Sequence, residues 1–255
     1  AATGVWQAVS ECAKGQGKTK SSRSRGASLS RLAAGAFVLL PLSALAASLP
    51  TGGQIVAGSG SISQSGNTLT VTQGTGQMAA NWQSFSIGQG NTVNFVQPSA
   101  SAVALNRVLG ADVSVIQGAL NANGQVFLIN PNGVLFTPTA QVNAGALVAS
   151  TLNLSTEDFL SGNYRFSGSS TAGVKNEGNI TVGTGGTVAL IAARIENTGS
   201  ITAPQGNVLM GAGTKVRLDL GGPVKLEVEE GALNTLIEQG GAIRADGGLV
   251  FLTSK

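Results

Sequence analysis

The feature that most constrains this chain is a repeat in its second half. Asn176-Glu-Gly-Asn-Ile180 recurs as Asn197-Thr-Gly-Ser-Ile201, a step of 21 residues, and Gly241-Ala-Ile243 continues it 42 residues further on. A second phase runs beside it through Gly186-Thr-Val188, Gly206-Asn-Val208 and Gly248-Leu-Val250. Periods near 20 residues with one or two short strands each mark a solenoid. Leucine-rich repeats share the period but need Leu-x-x-Leu-x-Leu, which is missing. Calcium-binding nonapeptides need a regular Gly-Gly-x-Gly-x-Asp, also missing. A parallel β-helix remains, in which each period is one coil and stacked coils bury a continuous core of Val, Ile, Leu and Ala. Val188, Val208 and Val250 are expected inside it, next to Ile180, Ile201 and Ile243. At this period the chain after Ala46 makes about ten coils, a rod roughly 40–50 Å long at the usual strand spacing.

Composition agrees with an all-β architecture. Of 255 residues 37 are glycine, and only 11% are charged and 4% aromatic, against roughly 25% charged in ordinary globular proteins. Ser, Thr, Asn and Gln stand where charges usually sit, and aliphatic content is too high for disorder. From Ser48 to Val96 short alternating runs continue the pattern. Leu69 and Val71 share one face, as do Val93 and Phe95, with Trp82, Phe85 and Ile87 between them. The two large aromatics are expected to seal one end of the core rather than to serve as an exposed ligand platform.

Two segments break the period. In Leu154-Ser-Thr-Glu-Asp-Phe-Leu160, Ser155 and Asp158 form a capping-box-like start for a single helical turn. In Val216-Arg-Leu-Asp-Leu220 and Val224-Lys-Leu-Glu-Val228, joined by Gly221-Gly-Pro223, both arms alternate. Pairing them sets Asp219 opposite Lys225 and Arg217 opposite Glu227 on one face, with Val216, Leu218, Leu226 and Val228 on the other. Such charge pairs contribute roughly 0.2–1 kcal/mol each. The match predicts an extra-helical antiparallel hairpin bulging from the solenoid wall, which also accounts for the doubled 42-residue step.

The net charge of +3 divides unevenly. Lys14, Lys18, Lys20, Arg23, Arg25 and Arg31 precede residue 47 with only Glu11 against them, leaving 9 of the 15 basic and 11 of the 12 acidic side chains beyond it. The basic cluster belongs to a leader, so the pI of 9.3 does not argue for nucleic acid. Leu32-Ala-Ala-Gly-Ala-Phe-Val-Leu-Leu40 is an apolar stretch too short to span a bilayer. Ala44-Leu-Ala46 offers the small residues of a cleavage site, with the cut expected after Ala46 and, alternatively, after Ala47. Residues 1–46 thus read as a signal peptide and residues 47–255 as one β-helix domain continuing beyond the fragment. The one cysteine, Cys12, falls in the leader, and the chain has no histidine. Disulfides, Cys/His zinc sites and catalytic histidines are excluded from the mature domain.

Nothing in the sequence assembles an enzyme. Glu157-Asp158 suits a helix start, where the dipole favours negative charge. Glu227 and Glu229-Glu230 suit the solvated face and end of a strand. The two facing carboxylates of a glycosidase, a phosphate loop, a triad and a metal-ligand spacing are all missing, and no cofactor is implied.

In the middle of the chain, the apolar runs Val126–Ile129 and Val134–Phe136 flank Asn130-Pro131-Asn132-Gly133. Asn opens a type I turn, Pro131 presets φ, Asn132 tolerates the third position and Gly133 can take positive φ. The turn either only passes the chain from one coil face to the next or is also a recognised feature. Gln125-Val-Phe-Leu-Ile-Asn-Pro-Asn-Gly-Val-Leu-Phe136 resembles the signature of the two-partner secretion domain at the N-terminus of filamentous-haemagglutinin-like exoproteins. The resemblance extends to Ala102-Val-Ala-Leu-Asn-Arg-Val108, Gly145-Ala-Leu-Val-Ala-Ser150, Glu157-Asp-Phe159 and Asn163-Tyr-Arg-Phe166. Upstream, Gly4-Val-Trp-Gln-Ala-Val-Ser-Glu11 resembles the extended signal peptide of large exoproteins, its start truncated because the first residue is Ala.

The resemblance implies a right-handed parallel β-helix with an N-terminal cap, and a secretion motif at Asn130, Pro131, Asn132 and Gly133. It implies a partner: an outer-membrane β-barrel transporter whose periplasmic POTRA domains recognise this module. The module would target a large adhesin, haemolysin or contact-dependent toxin to that transporter and nucleate its folding, on the way through the periplasm to the medium or cell surface. Host-cell or carbohydrate targets would be reached through downstream regions. The rival reading makes this domain itself a carbohydrate-binding adhesin, using exposed Thr, Asn and Gln ladders.

Overall fold

The computed structural model describes residues 49–220 and 225–255. Short strands among them wind into a three-sided parallel β-helix. The first side stacks Gln77–Trp82, Val103–Val108, Gln125–Ile129, Ala146–Ser150, Thr187–Ala192, Asn207–Ala212 and Leu249–Ser254. The second side stacks Ser114–Ile116, Val134–Phe136, Gly173–Asn176, Arg194–Asn197 and Leu236–Gln239. The third stacks Thr68–Gln73, Thr92–Val96, Ala119–Ala122, Gln141–Ala144, Asn179–Val182, Ser200–Thr202 and Ala242–Arg244. At the N-terminal end Gln54–Ala57 joins the first side and Gly60–Ser65 the third, both antiparallel. This is the expected cap. Trp82 and Phe85, each 1% exposed, meet edge to face with ring centroids 5.3 Å apart behind it. They seal the core and present no ligand platform.

The repeat is the register of the helix. Asn176 pairs with Asn197 and that with Gln239, Ile180 with Ile201 and Ile243, and Val188 with Val208 and Val250. Ile180, Ile201, Val188 and Val208 lie in one buried cluster, with Ile243 partly buried against it, whereas Val250, expected inside, is 45% exposed on the last described coil. At the corner between second and third sides the amides bond along the stack. Asn176 Nδ2 donates to Asn197 Oδ1 at 2.7 Å, and Asn197 Nδ2 to Gln239 Oε1 at 3.0 Å. At the corner between third and first sides Gly186, Gly206 and Gly248 stack so closely that a β-carbon on Gly206 would collide with the Gly186 carbonyl. Glycine recurs there because neighbouring backbones touch.

Seven parallel strands stand on the first side, not the ten coils that length alone suggests. The antiparallel cap and two insertions consume the difference. Both insertions leave the helix at the corner between first and second sides. One holds the helix Thr156–Leu160, whose cap Ser155 accepts the Asp158 backbone N–H at 3.0 Å, and the strand Tyr164–Ser167. The other is the hairpin, with Arg217 opposite Glu227, Leu218 opposite Leu226 and the Asp219 N–H donating to the Lys225 carbonyl at 2.9 Å. Its register and its apolar face are as expected, and Lys215, at the base of the first arm, pairs with Glu230 at 2.9 Å. Gly221–Val224, like residues 1–48 with Ala46 and Ala47, lie outside the described residues.

The hairpin does not stand alone. Tyr164–Ser167 pairs antiparallel with Lys215–Leu218, making a three-stranded sheet from both insertions. This sheet and the helix cover the outer face of the first side. Leu105, Phe127, Val148, Ala189 and Leu209 project outward into a second core with Phe159, Phe166, Val216, Leu218, Leu226 and Val228. The first side is therefore apolar on both faces, as buried parallel strands are.

Candidate recognition site at the Asn130–Gly133 turn

The strand Gln125–Ile129 reaches the corner between first and second sides, and Asn130-Pro131-Asn132-Gly133 carries the chain round to Val134–Phe136. The Gly133 N–H donates to the Asn130 carbonyl at 3.0 Å, closing the turn. Gly133 has φ +121°, a conformation that a β-carbon disfavours. The turn is closed, and Gly133 takes the positive φ expected of it.

Asn130 is wholly buried and fully bonded. Its Nδ2 donates to the Asp112 carbonyl and to Ser114 Oγ, both at 2.9 Å, in the preceding coil. Its Oδ1 accepts from the Asn132 N–H at 2.9 Å and from Asn132 Nδ2 at 3.1 Å. Its own N–H donates to the Ser150 carbonyl at 2.9 Å in the next coil. One side chain thus fixes the turn to the coil before it while the backbone fixes it to the coil after. Asn132, half-buried, also donates to the Gly110 carbonyl at 2.8 Å. These partners were not singled out in the sequence. The sequence separations of 18 and 16 residues from Asp112 and Ser114 sit just inside one period, the only signal that could have found them.

Pro131 is exposed. Its carbonyl accepts from Ser170 Oγ at 2.5 Å. Exposed Pro131 and half-buried Asn132 form a ridge along the second of two open grooves, and Asn132 also borders the first. One groove runs over the second side between Val113, Leu135, Gly173 and Leu236, and the other along Ala111, Asn153 and Ser167–Ala172. Val113 and Leu236 are among the exposed large apolar side chains. Lys175 borders the first groove, with its Nζ 2.8 Å from Glu196 and 3.0 Å from Glu177. Hydrogen bonds to Glu196 and then Glu177 hold its pKa above the ordinary lysine value.

The third side offers a different surface. Thr70, Asn94, Asn121, Asn143, Thr181 and Thr202 form one outward column in register. Asn121 Nδ2 donates to Asn94 Oδ1 at 3.0 Å, and Asn143 Nδ2 to Asn121 Oδ1 at 3.4 Å. This is the polar ladder that the adhesin reading requires. Among the described residues no cluster of His, Cys, Asp and Glu could hold a metal ion.

Comparison with known proteins places the chain. The chain is 35% identical to a heme/hemopexin-binding protein of Haemophilus influenzae over 211 residues, 79% of this chain and 23% of that protein. A second heme/hemopexin-binding protein of Haemophilus influenzae matches at 46% identity over 98 residues, 38% of this chain and 11% of that protein. The crystal structure of the HMW1 secretion domain from Haemophilus influenzae superposes with a TM-score of 0.70 and 29% identity, covering 80% of this chain and 57% of that one. The chain thus spans a quarter or less of the curated relatives, none of which bears an enzyme's name. Residues 1–40 match the extended signal peptide of the type V secretion system, and residues 46–255 match the TPS secretion domain. The chain belongs to the TPS secretion domain family, and its extended signal peptide and secretion domain mark it for export through the periplasm to the cell surface or medium.

Proposed function

We propose that residues 47–255 are the targeting and first-folding module of a longer exoprotein. The soluble POTRA domains of the outer-membrane β-barrel transporter engage the module in the periplasm. The leader is cut after Ala46, or alternatively after Ala47. One observation carries the reading of the motif: its four residues divide into builders and a ridge. Asn130 and Gly133 are buried and shape the turn, while Pro131 and half of Asn132 face solvent beside the grooves. Buried Asn130 can act on a partner only through the fold, whereas Pro131 and Asn132 can touch one directly.

The test compares secretion with thermal stability. Pro131→Ala and Pro131→Glu should leave the melting temperature nearly unchanged. If Pro131→Glu lowers secretion while the purified domain melts as before, the ridge contacts the transporter. If secretion falls only in variants that melt early, the turn is structural and recognition lies elsewhere.

The cargo is of adhesin, haemolysin or contact-dependent toxin type. Haem or haemopexin binding is stated in the names of the two relatives. The sequence has no histidine, and Cys12 lies in the leader, so neither His nor Cys can ligate haem iron from residues 49–255. The second reading, a carbohydrate-binding adhesin, is favoured by the uncharged Asn94–Asn121–Asn143 ladder. Binding of the purified domain to neutral glycans that Asn121→Asp abolishes would support it, and no binding on a broad glycan panel would dismiss it.

A further inference from the structure

A solenoid whose coils touch only their neighbours frays from its ends and grows coil by coil. The two insertions of this domain break that rule. Helix Thr156–Leu160 leaves the fourth parallel strand of the first side yet reaches back to the first. Gln77 Nε2 donates to the Phe159 carbonyl at 2.9 Å across 82 residues of sequence. Arg107, on the second strand, donates to the Leu154 carbonyl at 2.6 Å and to Asn153 Oδ1 and Asn81 Oδ1, each at 3.1 Å. Burial among these neutral acceptors depresses its pKa. Phe127, on the third strand, packs its ring 6.2 Å from Phe159, 5.1 Å from Tyr164 and 6.5 Å from Phe166. In the other direction Tyr164 and Phe166 pair with Leu218 and Val216 of the hairpin. The hairpin's Leu226 and Val216 lie against Gly211 of the sixth strand.

We propose that the helix, the strand Tyr164–Ser167 and the hairpin form a clasp that couples the first parallel coil to the sixth. The domain then locks as one cooperative unit only when the strands Lys215–Leu218 and Leu226–Glu230 are in place. Until then the outer face of the first side, with Leu105, Phe127, Val148, Ala189 and Leu209, has nothing from this domain to cover its far half. The early coils can form and dissolve, and closure of the clasp makes them persist. In export this sets the shortest length of emerging chain that cannot slide back. The lock itself stands on the geometry, whereas its role in export rests on the secretion reading above.

Native-state hydrogen exchange on the purified full domain tests the lock without any transporter, so it can fail while the secretion reading stands. Leu226→Ala sits in the hairpin, and Met210→Ala sits inside the helix on the adjacent strand. Leu226→Ala should speed exchange about tenfold or more, not only in Asn207–Ala212 but also in the helix Thr156–Leu160 and in Gln77–Trp82. Met210→Ala should speed exchange chiefly in Thr187–Ala192, Asn207–Ala212 and Leu249–Ser254. If Leu226→Ala does not fold, Val228→Ala is read the same way. The proposal is overturned if the hairpin variant leaves Gln77–Trp82 protected as in the parent. It is equally overturned if Met210→Ala loosens Gln77–Trp82 as much, because the coupling would then run through the solenoid itself.

Discussion

At the scale of single residues, burial separates positions that look alike in the sequence. Asn130 and Asn132 are both turn asparagines, but only Asn130 is enclosed. Asn130→Ala would strand the Asp112 carbonyl, Ser114 Oγ and the Asn132 N–H, and should cost about 2–4 kcal/mol. Pro131→Ala removes no hydrogen bond, since the carbonyl that meets Ser170 stays, and should cost under about 1 kcal/mol, through the unfolded chain. Urea denaturation of both variants measures the difference, and equal losses would contradict the division of the turn into builder and ridge. Ile201 is a second decisive position. It stacks between Ile180 and Ile243 with no exposed surface. Ile201→Asp would bury a charge with no partner and should cost upward of about 4 kcal/mol or abolish folding, seen as loss of the cooperative melting transition.

At the scale of elements, what was legible was whatever repeats or pairs locally. The step from Asn176 to Asn197 carried the register of three stacked columns, because adjacent coils present equivalent positions to each other. The hairpin was legible through its charges, since Arg217 and Glu227 flank one turn. The capped helical turn at Ser155 was legible for the same local reason. Contacts between the insertions were not. Tyr164 and Leu218 lie far apart in the sequence and in different coils, and alternation in Tyr164–Ser167 is too short to name a partner. The second core was hidden for a related reason: Phe127 and Leu128 both read as apolar, and only the covering elements show that both faces of that strand need it. The amide ladder gives this scale its test. Asn197→Ala leaves Asn176 Nδ2 and Gln239 Oε1 without their partner and should cost roughly 1–3 kcal/mol. Asn176→Ala should cost a similar amount, yet the double variant should cost clearly less than the sum of the two. Strict additivity in a double-mutant cycle would mean that the ladder contributes nothing as a unit.

At the scale of the whole molecule, stability and export pull in opposite directions. Once closed, the domain has a core inside the helix and another beneath the clasp, so a folded domain would be a poor passenger for a narrow barrel. It also lacks any cysteine beyond Cys12, and so has no covalent lock that could close before export. Both features suit a chain that crosses the outer membrane unfolded or partly folded and gains its direction from folding outside. Thr181 and Thr202 allow this to be tested, because they are cross-strand partners on the outward face of the third side. In-register parallel neighbours stand about 4.8 Å apart, within the Cα range a disulfide accepts. With both replaced by cysteine, oxidation in the periplasm should hold the exoprotein inside the cell, and a reducing periplasm should restore secretion to the parent level. Either single replacement should secrete normally under both conditions. Full secretion of a chain shown to be crosslinked before it crosses would mean that the barrel passes closed coils. Folding outside the cell could then no longer be what drives the chain forward.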